Sequence, residues 1–153
     1  MPIQIDDSAL LKGLERIAQA HGQAITRGLR DGAAQAEAIL VNTHAHGDIT
    51  GATRASYQVV ADVDAVSAAS SGLAAAEAAL NAAGKEYHGG GALRQTVYTL
   101  KQDERGVIYR SFTDYQDKLE TDNGGQKAAL GPTLEETAGT ITAHVASELK
   151  DAR

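Results

Sequence analysis

The stretch Asn42-Thr43-His44-Ala45-His46-Gly47-Asp48-Ile49-Thr50-Gly51-Ala52 divides this chain, and its reading decides both fold and function. As chemistry, His44, His46 and Asp48 follow an H-x-H-x-D spacing, which places two imidazoles and a carboxylate within reach of one divalent metal. As architecture, Asp48-Ile49-Thr50-Gly51 ends a helix, and Ala52-Thr53-Arg54-Ala55-Ser56 leads into a strand. The residues on either side favour the second reading.

Upstream, Asp6, Asp7 and Ser8 offer capping side chains, and apolar or small residues recur at Leu10, Leu14, Ile17, His21, Ile25, Gly28, Gly32, Ala36 and Ile39. Steps of three and four trace one stripe of an α-helix. Running to about Thr43, this helix would be roughly 55 Å long at about 1.5 Å per residue, more than a compact domain of this size needs. Part of it is therefore expected to pack on a neighbouring subunit, with the small residues Gly28, Gly32 and Ala36 suited to that contact. Gly22, Gly28 and Gly32 each cost the helix about 1 kcal/mol relative to Ala, so any kink should fall near Gly28 and Gly32 unless a second backbone packs closely there.

Downstream, Tyr57, Val59, Ala61 and Val63 alternate with Ser56, Gln58, Val60 and Asp62, the period of a strand with two unlike faces. Residues 65 to 83 are dominated by alanine and serine, with Val66, Leu73 and Leu80 as the larger apolar members. They read as a helix ending at Gly84, followed by a loop through His88-Gly89-Gly90-Gly91. Residues 64 to 93 thus form an Ala-rich helical insertion between strands, expected to be peripheral because alanines bury little area each.

Two further strands are expected over residues 94 to 102 and 107 to 113, joined by the hairpin turn Asp103-Glu104-Arg105-Gly106. A short segment, 114 to 120, leads into the loop Thr121-Asp122-Asn123-Gly124-Gly125. In the last helix Pro132 occupies the first turn, and Leu134, Ala138, Ile141, Val145 and Leu149 form the apolar stripe. Glu135 and Glu136 lie near its positive end, with Lys150 and Arg153 near its negative end. The order predicts one α+β domain over residues 1 to 153: a long N-terminal helix, a small antiparallel sheet and a C-terminal helix.

Composition narrows the function. Among 153 residues, 42% are hydrophobic but there is one Phe, one Met and no Trp, poor material for an aromatic-lined ligand pocket. Fourteen Lys and Arg against twenty Asp and Glu give a net charge of -6, which argues against gripping nucleic acid by phosphate neutralisation, although an acidic surface can line a passage through which DNA slides. The absence of cysteine excludes disulfides, thiolate zinc sites and a Cys nucleophile. Met1-Pro2-Ile3-Gln4-Ile5-Asp6-Asp7 is acidic where a signal peptide is basic, and no apolar run reaches the length of a membrane span. Synthesis in the cytoplasm and no membrane partner are the expectation.

Two family resemblances follow from these residues. The segment from Ala38 to Gly51 resembles the zinc-binding loop of metallo-β-lactamase-fold hydrolases, in which an apolar strand delivers T-H-x-H-x-D-H-x-G-G to one or two zincs. It departs at Ile49, where the third histidine should stand, and at Ala52, which replaces the second glycine. A helical pattern precedes it where that fold needs strands, and His88 and His144 sit outside any matching context. A zinc-dependent hydrolase using His44, His46 and Asp48 is the alternative reading.

The other resemblance covers more of the chain. Asp48-Ile49-Thr50-Gly51-Ala52-Thr53-Arg54-Ala55-Ser56-Tyr57 is similar to the P-x-x-T-G-x-L-x-x-S-like turn of the neck and tail-completion proteins of long-tailed bacteriophages. His46 stands near the usual proline, and Thr53 replaces the leucine. Tyr115-Gln116-Asp117-Lys118-Leu119-Glu120, then Gly124-Gly125 and Ala129-Leu130-Gly131-Pro132-Thr133-Leu134, resembles that family's second signature, a Tyr-containing segment, an acidic residue, a Gly-rich loop and a Pro-containing helix entry. The resemblance touches residues 8 to 63 and 94 to 150 and leaves the insertion unexplained.

It implies a structural virion protein of the head-tail junction, present as a homo-oligomeric ring around the tail axis. The adjacent neck, tail-terminator or tail-tube subunits would be its partners, and DNA would pass through the channel without sequence-specific binding. Such a protein is assembled into the virion in the host cytoplasm. A small cytoplasmic helical adaptor is a further alternative.

The remaining candidates have plainer explanations. Gly89-Gly90-Gly91 lacks the G-x-x-x-x-G-K-[ST] pattern of a phosphate loop. His21 lies on the apolar stripe, where a partly buried, hydrogen-bonded histidine is expected. Glu135 and Glu136 are adjacent on a helix and point apart, so they complement the helix dipole and do not form a carboxylate pair. No catalytic, cofactor-binding or metal-binding residue is assigned.

Overall fold

A computed structural model describes residues 7–44, 51–85, 96–102, 105–113, 116–121, 124 and 128–152. Helix α1, Ser8–Ile39, is continuous over 32 residues, and a π-helical turn, Leu40–His44, carries it to the end of the expected span. Helix α5, Leu130–Asp151, packs antiparallel on its C-terminal half, with Gly32 against Ile141 and Gly28 against Val145. A β-carbon at Gly28 would stand 2.5 Å from the Val145 Cα, and one at Gly32 would stand 2.9 Å from the Ile141 Cα. These glycines thus admit a second backbone, which offsets their helix cost. That second backbone is the chain's own, a correction to the expected use of Gly28, Gly32 and Ala36 against a neighbour. Ala36 is itself fully buried.

The segment after the described end of α1 is corrected in one respect. Residues 45 to 50 lie outside the described ones, and Gly51, at φ +76°, opens a short helix α2, Ala52–Ser56, which leads into the sheet, so the alternation read from Ser56 begins ahead of the strand. The Ser56 hydroxyl donates to the Thr53 carbonyl at 2.8 Å, a local bond that favours a turn over a ladder. Strand β1 is accordingly short, Gln58–Ala61. It ends in the 3-10 turn Asp62–Asp64, where the Asp62 carboxylate accepts from the Val63 amide at 2.9 Å.

Strands β2, Thr96–Gln102, and β3, Arg105–Ser111, complete an antiparallel sheet of order β1-β3-β2. Val59 and Tyr98 flank Tyr109 in register. Pairing continues to Lys101 opposite Gly106 and Gln102 opposite Arg105, so the connection is tighter than the expected four-residue turn. Gly106 is required there, because a β-carbon would run into the Leu100 carbonyl oxygen.

Helix α3, Ala65–Ala82, is the expected Ala-rich insertion, and its exit is the expected glycine, with Gly84 at φ +68°. It is not peripheral. Gly72 fits against the Phe112 ring and the Gln58 side chain, Gln58 donates to the Ala68 carbonyl at 2.8 Å, and Arg110 donates to the Ala65 carbonyl at 2.7 Å. The sheet therefore lies between α1 and α5 on one face and α3 on the other, an α+β fold in three layers.

A short helix α4, Gln116–Thr121, supplies what sequence patterning missed at the start of α5. Glu120, buried, accepts the Ala129 and Leu130 amides on Oε1 at 2.8 and 2.9 Å and the Gly131 amide on Oε2 at 3.2 Å. These are orphan donors of a helix N-terminus, and a carboxylate there also complements the dipole. Glu135 and Glu136, expected in that role, are exposed. The core joins Leu29, Ala33, Leu40, Tyr57, Val59, Val107, Tyr109, Leu130, Ile141 and Val145.

Candidate functional site

Among the described residues, the cover on α1 runs out before the helix does. Ala24 is its first buried residue from the N-terminus, and none of residues 7–23 is buried. Near this point Arg27 donates to Glu148 at 2.7 Å, three residues from the end of α5. Residues 8–23 then continue as an arm about 24 Å long at about 1.5 Å per residue. The apolar stripe continues along it, so Leu10, Leu11, Leu14 and Ile17 are 63%, 57%, 54% and 55% exposed. Four large aliphatic side chains on one helical face cost free energy when left in water.

The opposite face is polar. Lys12 and Arg16 are exposed there, and the Arg16 guanidinium donates to the Lys12 carbonyl at 3.4 Å. At the root of the arm a groove is lined by Gln19, Gln23, Thr26, Arg27, Arg30 and Arg105. Its cations are already engaged. Arg30 grips both oxygens of Asp64 at 2.7 Å, and Arg105 donates to Asp62 at 3.4 Å and to Thr26 at 3.1 Å. The Arg30 hydrogen bonds hold the Asp64 carboxyl below its usual range. With each guanidinium paired, the groove has little positive charge left over for an anion.

The polar clusters inside the fold are structural. Ser56 gives its proton to the Thr53 carbonyl, so Ser111 donates to Ser56 at 2.8 Å and Thr113 to Ser111 at 3.0 Å. This hydroxyl chain has no imidazole, amine or carboxylate in it to make a nucleophile. Arg110, 5% exposed, donates to Gln58 Oε1 through Nε and Nη2 at 3.0 and 2.8 Å and lies 5.0 Å from the Phe112 ring centroid. Burial lowers its pKa from the ordinary arginine value. Thr137 gives its proton to the Thr133 carbonyl, so Tyr109 donates to Thr137 at 2.8 Å.

Of the residues singled out by sequence, His46, Asp48, His88 and Gly89-Gly90-Gly91 lie outside the described residues, as does the side chain of His44. Ala38 and Ile39 are helical and the π-turn follows, where the zinc-loop resemblance needs a strand. Among the described residues no three His, Asp or Glu side chains come together to hold a metal. His144 bonds Gln35 Oε1 at 2.9 Å, and His21 is half-buried at the root of the arm. Among the described residues no helix is long and apolar enough to cross a membrane.

Compared with known protein families, with curated proteins and with solved structures, the chain matches none.

Proposed function

We propose that this chain is a structural subunit of the phage head-tail junction, a tail-completion or neck protein that acts by assembly and not by catalysis. The observation that carries this reading is the arm: Leu10, Leu11, Leu14 and Ile17 form an exposed apolar face on a helix that projects beyond its own domain. A protein that works alone gains nothing from such a face, whereas an assembly subunit hides it on incorporation. Further support comes from the order of elements, a long helix, a small sheet and a closing helix, together with the two resemblances flanking the sheet. Glu120 gives the second of them a physical meaning, because the acidic residue before the Gly-rich loop is the one that binds the entry of α5. The net charge of -6 suits a wall past which DNA moves without sticking.

In the assembly, copies stand around the tail axis between the head and the tail tube, and the arm docks on an adjacent subunit. Immunogold labelling of tailed particles from the source of the chain tests this. Label at the head-tail junction, with unattached heads and tails when the gene is withdrawn, is the expected result. Intact, unlabelled particles from the gene-deleted source would overturn it.

A further inference from the structure

The apolar face of the arm is centred on Leu14, with complementary residues at equal distances to either side. Leu11 and Ile17 lie three residues to either side, Leu10 and Ala18 four, and Asp7 and His21 seven. Residues separated from Leu14 by three, four and seven share its face of the helix. Lys12 and Arg16, two to either side, point the opposite way.

The body of the protein leaves room for a symmetric partner. Each step toward the N-terminus of α1 matches a step toward the C-terminus of α5, from Gly32 beside Ile141 to Gly28 beside Val145. Extended at this pitch, the last helical residue of α5, Asp151, falls about level with Gly22. Beyond it, among the described residues, nothing continues the place of α5 along the arm.

We propose that the arms of two copies of this chain pair antiparallel around a two-fold axis at Leu14. Each arm then takes the place that a longer α5 would occupy on the other. Leu14 meets Leu14 of the second copy, Leu11 meets its Ile17, and Leu10 meets its Ala18, a large residue against a small one. At each end Asp7 faces His21 of the second copy, a carboxylate beside an imidazole. The overlap spans residues 7–21 and stops where the C-terminal end of α5 is reached, so the paired segments clear the helix. Charge favours this occupant over an anionic membrane or nucleic acid. The arm carries Lys12 and Arg16 against Asp7 and Glu15, with no surplus of positive charge to recruit a polyanion.

A contact with two-fold symmetry uses one patch twice, whereas a ring uses two different patches head to tail. The pairing therefore belongs to the free protein, and it holds or fails independently of the assembly role proposed above.

The lack of cysteine in the chain makes the test direct. Leu14→Cys and Arg16→Cys place a thiol at the axis and on the opposite face, both at exposed positions. Under mild oxidation Leu14→Cys should form a disulfide-linked dimer at least about tenfold faster than Arg16→Cys, because only thiols at the axis meet the distance a disulfide needs. In sedimentation velocity the unmodified chain should dimerise with rising concentration, Leu14→Glu should remain monomeric, and an equimolar mixture of Leu14→Glu with Leu14→Lys should dimerise again. An unmodified chain that stays monomeric, equal crosslinking rates for the two cysteines, or a Leu14→Glu dimer as stable as the unmodified one would each overturn the proposal.

Discussion

Gly28 and Val145 meet so closely that α1 and α5 touch backbone to backbone, with a β-carbon at position 28 placed 2.5 Å from the Val145 Cα. Gly28→Ala should therefore destabilise the protein by about 1–3 kcal/mol through overpacking, outweighing a gain of about 1 kcal/mol in helix propensity. Gly22→Ala should have the opposite sign, since nothing lies within 4 Å of the position its β-carbon would take. Urea unfolding of the two variants separates the effects. Ala36→Arg, in the same packed seam, should unfold the isolated subunit and not merely block its assembly.

Glu120 binds the start of α5 from across a loop, so Glu120→Ala should leave the buried Ala129 and Leu130 amides unpaired. A loss of about 1–3 kcal/mol is expected. Hydrogen exchange should show faster opening in the first turn of α5, with the packed half of α1 from Ala24 onward protected until global unfolding.

Helix α3 covers Gln58, Arg110 and Phe112, and replacing residues 65–82 by a short Gly-Ser linker would expose all three. The shortened chain should fail to accumulate as soluble protein. A well-dispersed proton-nitrogen spectrum from it would show that α3 is dispensable after all.

Burial raises the Tyr109 phenol above its usual pKa of 10.0. A group held in its protonated form by the fold contributes stability that is complete below the unfolded value of about 10 and is lost as pH rises through the folded value. Tyr109→Phe should lose about 1 kcal/mol near neutral pH with the Thr137 bond and should then decline less steeply in alkali. Urea midpoints of both proteins at about pH 8 and about pH 11 report the difference in slope.

Much of this fold is written in local periodicity. The spacing of Ile25, Ala36, Ile141 and Val145 located both long helices, alternation located the first strand, and Gly84 and Pro132 marked a helix exit and entry where the structure has them. What escaped depends on partners distant in sequence. A stripe of apolar residues does not record where its cover ends, so Leu14 and Gly28 look alike in sequence although one faces water and the other faces Val145. Thr133 and Thr137 stand outside the expected apolar stripe of α5, yet both are buried, and each returns its proton to a carbonyl one turn back. Glu120 could have been suspected only as an acidic residue preceding a helix entry. The length of the arm was visible in the sequence, whereas its projection past α5 needed the packing.

In the proposed function the exposed face of the arm serves assembly and not folding. The most direct measurement replaces Leu10, Leu14 and Ile17 together by serine and follows thermal melting of the free protein beside its incorporation at the head-tail junction. Since all three side chains are more than half exposed, the melt, taken at a concentration low enough to keep the free protein monomeric, should be nearly unchanged while incorporation is lost. Normal incorporation, or a loss that only mirrors a collapse in melting temperature, would contradict the account.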